Sequence, residues 1–522
     1  MNRLPHWIGR AFLALCVATL AACGSLPAAP ERAPVRAEAT DPHTPLATIA
    51  AASGPSGTQT GARLLPLGAY SLDARLQLAE RAQRSLVVQY YQFEDDATGR
   101  RLLQALRDAG LRGVQVRVLV DDLYTARSQR LLLALSKTPN TEVRLYNPFC
   151  CNRHGVLSRF LASPHEFGRL NHRMHNKLFA ADGAMAVVGG RNIADDYFLL
   201  GSAQNFIDMD ALLVGPVLQQ LQAVFDDYWN SRLVWPIAEI VPLVDGQPVD
   251  AGDFDRWIGA RAPALALPGV DLLGYAPVGQ DLDAGRLALH WGAAQVIADP
   301  PTKPASMSAD EALATSVTMQ VWGLLLAARD EVELTSPYLV PGEKGMAAFQ
   351  DLAQRKVRLT LLTNSLAAND EPLVHTGYVR YRKRLLASGA SLYELSPERT
   401  RADEQFGMFG KSLGRLHSKT AVIDGRQVFV GSMNLDPRSA TKNTEMGVVV
   451  DNAALAQEML RVIEVSKTRS AYRLRLRDDG QAVEWLALDG AAETVLTDEP
   501  ESTFWQRLVN RLLGPLVPET LL

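Results

Sequence analysis

The feature that most constrains this chain is a motif written twice. "HNKLFAADGAMAVVGGRN" runs from His175 to Asn192, and "HSKTAVIDGRQVFVGSMN" from His417 to Asn434. Both read His-x-Lys-(x)4-Asp-(x)6-Gly-(Gly/Ser)-x-Asn. Nine histidines, each needing Lys, Asp and Asn at fixed offsets at odds of roughly one in twenty, give about a thousandth of a match per chain by chance. Two matches in one chain are no accident. Their surroundings repeat as well. Helix-period stretches alternate with apolar runs in "ATGRRLLQALRDAGLRGVQVRVLVDD" and again in "GMAAFQDLAQRKVRLTLLTN". Val114 precedes His175 by 61 residues and Val357 precedes His417 by 60, so a whole unit recurs with a period near 242.

This alternation predicts an α/β fold of two pseudo-symmetric lobes, each a mixed sheet flanked by helices. Duplicated lobes tend to pack about a pseudo-two-fold axis, which puts equivalent edges face to face and a site at the interface. Within each motif, Asp182-Gly183 and Asp424-Gly425 sit between apolar runs, the strongest short-range signal for a two-residue hairpin. In such a hairpin His417 faces Ser432 and His175 faces Gly190. Asn434 and Asn192 follow on the same side. His, Lys and Asn then gather at one end of the hairpin, and the aspartate is left at the tip.

These residues identify a resemblance. The doubled motif is similar to that of the phospholipase D superfamily. The context "QYYQFEDDATGRRLLQALRDAGLRGVQVRVLVDD", "NHRMHNKLFAADG", "VGGRNIADDYF" and "HTGYVRYRKRLLASGASLYEL" resembles bacterial cardiolipin synthases of the C type, from about Leu64 onward. The resemblance implies two phospholipase D-like lobes and a phosphatidyltransferase. Its catalytic motif residues would be His175, Lys177, Asp182, His417, Lys419 and Asp424, although the hairpin geometry makes Asp424 at the turn architectural. Asn192, Asn434, Ser432 and Gly190 would lie against the substrate phosphate. By analogy, His175 is the nucleophile and His417 the acid/base, although the residues alone do not order the two.

The chemistry suits the residue types. Transfer at a phosphodiester needs a nucleophile, a proton donor for the leaving alcohol, and positive charge around the phosphoryl oxygens. Two histidines divide the first two roles; lysines and asparagines supply the third. No metal and no other cofactor is expected. Each histidine also needs a partner on its second nitrogen. Glu445 opens the apolar strand of "NTEMGVVV", and in "NFIDMDALLVG" the choice lies between Asp208 and Asp210. Asp210 aligns better with Glu445, because the same apolar strand follows it. His154, His165, His172 and His375 have no interpretable spacing and read as surface or packing residues. Arg380 to Arg384 read as a solvated helix face that could also meet anionic head groups.

The N-terminus reads as a lipoprotein signal over residues 1–23. Arg3 and Arg10 precede a 12-residue apolar run, Ala11 to Ala22, too short for a span of about 20. Leu20-Ala21-Ala22-Cys23 resembles a lipobox, which makes Cys23 the acylated residue. The expected location is the bacterial cell envelope, lipid-anchored and periplasm-facing, with the outer membrane favoured over the inner. Residues 24–63, rich in Ala and Pro, are expected to be a disordered tether. The lobes are expected at 64–260 and 261–470, and a hairpin with an amphipathic tail at 471–522. In that tail Trp505, Leu508, Val509, Leu512 and Leu513 share a helical face, which either packs on the domain or lies on a bilayer. Cys150 and Cys151 are adjacent, and two free thiols are expected rather than a strained disulfide.

The net charge of −4 gives no overall attraction for nucleic acid, so no nucleic-acid partner is expected. The expected partners are phospholipids: phosphatidylglycerol, with phosphatidylethanolamine as a second candidate donor. The expected reaction is cardiolipin synthesis through a phosphohistidine. The alternatives are a hydrolase releasing phosphatidic acid, a nuclease of the same superfamily, and a non-catalytic envelope protein.

Overall fold

The two repeats build two sheets of one plan. The computed structural model describes residues 26–519 apart from 29–30, 38, 56, 264, 304–308, 403–412, 490–491 and 515–516. The signal segment and Cys23 lie outside the described residues. In the first lobe the strands are β1 (Thr60–Leu65), β2 (Ser85–Tyr90), β3 (Gln115–Asp121), β4 (Thr141–Tyr146), β5 (Leu178–Ala181), β6 (Met185–Gly189), β7 (Gln204–Ile207), β8 (Asp210–Val214) and β9 (Val234–Pro236). Strands β2, β3 and β4 are parallel. Parallel neighbours need a crossover, supplied here by the helices Ala97–Leu111 and Gln129–Leu135. The first of these starts at Asp96, whose carboxylate accepts from the Gly99 N–H, and it buries Leu102, Leu103, Leu106 and Ala109 at helical spacing. Beyond β2 the sheet continues antiparallel through β5, β6, β8 and β1.

The second lobe repeats this order. Its strands are β10 (His290–Ala298), β11 (Glu331–Thr335), β12 (Arg358–Asn364), β13 (Ser391–Leu395), β14 (Leu413–Leu416), β15 (Thr420–Ile423), β16 (Gln427–Gly431), β17 (Met446–Asp451), β18 (Ala471–Leu476), β19 (Val483–Asp489) and β20 (Ala492–Leu496). Again β11, β12 and β13 are parallel and β15, β16, β17 and β10 follow antiparallel. An antiparallel pairing of β1 with β10 joins the halves. Between them lies a shared core, with Val188, Leu213, Leu221 and Phe225 from one lobe against Val430, Val448, Leu455 and Met459 from the other.

Several boundaries differ from the sequence reading. Residues expected in a disordered tether are partly ordered. The stretch from Leu26 runs along the helix Val217–Trp229: Val35 N–H donates to Asn230 Oδ1 (2.9 Å) and Ala37 N–H to Asp226 Oδ2 (2.6 Å). Pro45–Ala52 is a helix capped by Thr44, and β1 begins at Thr60. This segment is held by backbone bonds to polar side chains, which leave no apolar period to read. The lobe boundary at 260/261 also moves. Val278, Leu282 and Leu287 belong to the first core, and Gly279 N–H donates to Asp73 Oδ2 (2.9 Å), so the second lobe starts near β10. The expected C-terminal hairpin is β18–β19 with β20 added, and it extends the second sheet rather than standing apart. In the helix Phe504–Leu513 the apolar face is not buried: Trp505 is 69% and Leu512 60% exposed. Among the described residues no helix is long and apolar enough to cross a membrane. No disulfide joins Cys150 to Cys151.

Candidate active site

Each motif folds as a hairpin around its Asp-Gly pair. Asp182 and Gly183 have φ of 53° and 62°, and Asp424 and Gly425 have 50° and 58°. Two successive left-handed residues are what a tight primed turn demands. The register is nevertheless one residue longer than expected. Ala181 pairs with Met185 and Ile423 with Gln427, so Ala184 and Arg426 are additional loop residues. A one-residue slip reverses which side chains share a face. The predicted facing of His417 by Ser432, and of His175 by Gly190, therefore does not hold.

The turn aspartates lie outside the chemistry, as the hairpin geometry expects of Asp424, and Asp182 is corrected from the catalytic set with it. Asp182 accepts the backbone N–H groups of Gln83 (3.0 Å), Arg84 (2.8 Å) and Ser85 (3.0 Å). Asp424 does the same for Arg329 (3.0 Å), Asp330 (2.8 Å) and Glu331 (3.1 Å). Each carboxylate pins the chain entering the first parallel strand of its lobe. Burial would raise the Asp424 pKa, but those backbone bonds hold it below the ordinary value.

The histidines lie at the other end, where the lobes exchange backbone. His175 N–H donates to Thr444 O (2.8 Å) and Thr444 N–H to Arg173 O (2.9 Å). In the mirrored place β7 runs parallel to β14, and His417 N–H donates to Ile207 O (2.8 Å). The residues before the histidines are fixed alike. Asp121 accepts from Met174 N–H (2.8 Å), and Asn364 accepts from Leu416 N–H (2.9 Å).

This exchange sets the orienting pairs across lobes. His175 Nδ1 lies 2.9 Å from Glu445 Oε2, and His417 Nδ1 lies 2.6 Å from Asp208 Oδ2. The sequence assignment of Asp210 is thereby corrected. Asp210 is wholly buried beneath the site, 3.0 Å from the Arg75 guanidinium and 3.4 Å from that of Arg191. The backbone shows the right alignment: Gly190 N–H donates to Met209 O as Ser432 N–H donates to Met446 O. The acid–methionine pair Asp208-Met209 matches Glu445-Met446, a signal present in the sequence and overridden there by the apolar run after Asp210.

Gly190 and Ser432 take different places from those expected. They touch the orienting carboxylates. Ser432 Oγ donates to Glu445, and its carbonyl oxygen lies 3.1 Å from His175 Nδ1. A Cβ on Gly190 would sit 2.2 Å from Asp208 Oδ1, so only glycine leaves room for that carboxylate.

His175, His417, Asn192 and Asn434 line one cavity of about 470 Å³ between the lobes. Lys177 Nζ donates to His175 O (2.7 Å) and Lys419 Nζ to His417 O. The side-chain oxygens of Asn192 and Asn434 are buried without a protein partner, while Asn192 Nδ2 donates to Tyr197 OH (2.9 Å). Tyr91 packs edge-on against His175, ring centroids 4.9 Å apart, and Tyr197 against His417 at 5.0 Å. The sequence reading missed both tyrosines and the cavity-lining Arg438, and it named Asp208 only as the less favoured alternative to Asp210. Among the described residues no cluster of His, Cys, Asp or Glu is arranged to hold a metal ion.

Burial dominates the electrostatics. It lowers the His175 pKa to about 4 against the opposing pull of Glu445. It takes His417 well below its ordinary value, helped by Lys419 and Lys177. Both imidazoles are therefore neutral near pH 7. Burial also lowers Lys177 to about 7, partly offset by Glu445, and Lys419 to about 8, partly offset by Asp208. Burial alone would raise Glu445, but His175, Lys177 and Ser432 hold it below the usual range. Two neutral imidazoles with their Nε2 atoms free of the orienting carboxylates, between two buried amines, suit attack on and release from an anionic phosphorus centre.

Comparison with known proteins shows the family. A family model described as "Cardiolipin synthase, PLD-like domain" matches residues 76–229 and 322–465. Cardiolipin synthase C of Escherichia coli (strain K12) is 38% identical over 458 residues, covering 87% of this chain and 94% of that protein. An uncharacterized protein of Helicobacter pylori (strain J99) is 30% identical over 468 residues, covering 86% and 87%. Among solved structures, phosphatidylserine synthase of Haemophilus influenzae matches with a TM-score of 0.54 at 14% identity, over 88% of this chain and 95% of that one, a likeness of fold. With its doubled motif, its paired lobes and these matches, the chain belongs to the cardiolipin synthase family of phospholipase D-like proteins.

Proposed function

We propose that this protein is a phosphatidyltransferase that makes cardiolipin, moving a phosphatidyl group onto phosphatidylglycerol through a phosphohistidine. The observation that carries the reading is the pair of histidines in one cavity, each bonded through Nδ1 to a carboxylate of the opposite lobe. With Nδ1 so engaged, Nε2 is the reactive atom. By the family analogy, His175 Nε2 attacks phosphorus. The bond from phosphorus to the leaving alcohol breaks, and His417 Nε2 gives that alcohol its proton. The arriving phosphodiester anion favours imidazolium, which supplies the protonated form that acid catalysis needs. In the second half, His417 takes the proton of the phosphatidylglycerol hydroxyl as its oxygen attacks phosphorus, and the phosphorus–nitrogen bond breaks. Lys177, Lys419, Asn192 and Asn434 offset the charge on the phosphoryl oxygens.

Incubation with labelled phosphatidylglycerol tests the reading. Cardiolipin is the expected product; phosphatidic acid alone would make the protein a hydrolase. Cleavage of DNA without lipid turnover would make it a nuclease. His175→Ala and His417→Ala should each abolish turnover, and a phospholipid adduct should be trapped on His175. An adduct on His417 reverses the assigned roles. The protein is further proposed to be anchored in the bacterial envelope by an acylated Cys23, facing the periplasm, on the outer rather than the inner membrane. Mass spectrometry of the mature N-terminus tests this, and an unmodified chain starting elsewhere removes the anchor.

A further inference from the structure

An apolar groove adjoins the catalytic cavity, the two sharing Asp436 in their linings. It has a volume of about 310 Å³ and is walled by the helices Val317–Leu326, Gly342–Gln354 and Pro437–Thr441. Met319, Trp322, Leu326, Val340, Ala348 and Leu435 are among its apolar lining residues. The segment after β16 separates it from the catalytic cavity. Asn434 lines the cavity, Leu435 lines the groove, and Asp436 lines both. Met319 and Leu326 carry the apolar surface outward, 38% and 37% exposed.

We propose that this groove holds an acyl chain of the phospholipid whose phosphate sits at His175 and His417. The proposal rests on the phosphatidyltransferase reading and adds where the lipid tail goes. A diacyl phospholipid bound by its phosphate must place its chains within reach of that phosphate. The catalytic cavity is lined largely by polar and charged groups such as Asp370, Glu371, Asp196 and Arg438. The adjoining groove is the apolar complement, and its size falls in the range of small-molecule sites. The chain's own C-terminal stretch is a competing occupant, since a Cβ on Gly342 would sit 3.2 Å from Glu519 Oε1. The wall that the groove shares with the reaction site, with Asp436 lining both, favours the acyl chain.

Trp322 in the wall provides the readout. cis-Parinaric acid, a polyene fatty acid, should bind the full-length protein saturably and accept energy from tryptophan. Trp322→Phe should remove most of that transfer. Ala348→Phe, which fills the groove, and Leu326→Asn, at a position exposed enough to spare the fold, should each weaken binding at least tenfold. Unchanged affinity in both overturns the proposal. So does binding that appears only after residues 515–522 are deleted, which would make the tail the occupant. With dihexanoyl, dioctanoyl and didecanoyl phosphatidylglycerol, kcat/KM should rise about fourfold per buried methylene, and both variants should flatten the series. An equally steep series in the variants overturns the proposal, whereas failure of the wild type to process any phospholipid strikes the transferase reading alone.

Discussion

Replacing Asp208 by asparagine separates an orienting carboxylate from its neighbour Asp210. Asp208 is wholly buried; one oxygen lies 2.6 Å from His417 Nδ1 and the other accepts from Met209 N–H at 2.8 Å. In Asp208→Asn the amide oxygen stays with the Met209 N–H, the only donor of the two that cannot adapt. The NH2 then faces His417 Nδ1 and donates to it, which puts the ring proton on Nε2. That tautomer can neither accept a proton nor attack through Nε2. A lost hydrogen bond to a charged group is worth about 1.5–3 kcal/mol, or roughly ten- to hundredfold in rate. A wrong tautomer costs more, about 10⁴ in kcat for the analogous change in a Ser-His-Asp triad. We therefore expect kcat to fall by about 10²- to 10⁴-fold with little change in KM or Tm. Asp210→Asn should do the opposite. It strips a buried ion cluster from Arg75 and Arg191, at a cost of about 3–5 kcal/mol, and lowers Tm while the remaining folded enzyme turns over. The assay is steady-state turnover of labelled phosphatidylglycerol beside thermal unfolding of each variant. A fully active Asp208→Asn protein, or an inactive Asp210→Asn protein of unchanged Tm, would refute the cross-lobe assignment.

Other perturbations follow from the same geometry. Asp424→Asn should cost about 2 kcal/mol of stability at neutral pH and leave both limbs of the pH–rate profile in place. Its folded pKa is depressed, so its contribution is present above the unfolded carboxyl value of about 3.9 and vanishes as pH falls through the lower folded one. Equal urea stability of variant and wild type at pH 7 would contradict this. Lys177 titrates near 7, so kcat/KM for an anionic substrate should decline as pH rises through about 7 to 8. Lys177→Arg should push that limb upward, and an unshifted limb assigns it to another group. The exposed Trp505 and Leu512 should carry binding to anionic vesicles; Trp505→Ser with Leu512→Ser should weaken co-sedimentation at least tenfold, and unaltered binding assigns that face another role.

What was legible in the sequence was what is local. Asp-Gly between apolar runs announced both hairpins, because two left-handed residues are needed there and few pairs supply them. The repeat announced the two lobes, since equal spacing from Val114 to His175 and from Val357 to His417 leaves room for the same strands. The register slip was not legible, because Ala184 and Arg426 look like strand residues until the pairing is seen. Nor were the first ordered residues, held by Asp226 and Asn230 through backbone bonds that leave no periodicity.

The orienting carboxylates were hidden for a more general reason. Sequence alignment of the repeats compares each histidine with an acid further along its own lobe, but the backbone pairs Arg173 and His175 with Thr444, and Ile207 with His417. Each lobe therefore supplies a histidine to one couple and a carboxylate to the other. Neither lobe holds a complete histidine–carboxylate couple, although each holds a complete copy of the motif. This explains why the turn aspartates lie so far from the chemistry: within a lobe, the conserved-looking spacing of His, Lys and Asp builds the hairpin, and only the exchange of strands across the interface builds the site. It also makes the interface itself part of catalysis. A substitution in the shared core, such as one at Val430 or Leu213, shifts both couples together, whereas one at β12 or β3 disturbs the backbone of a single histidine. The two effects differ in kind, since the first moves both histidine–carboxylate couples and the second only one, although each histidine serves both half-reactions.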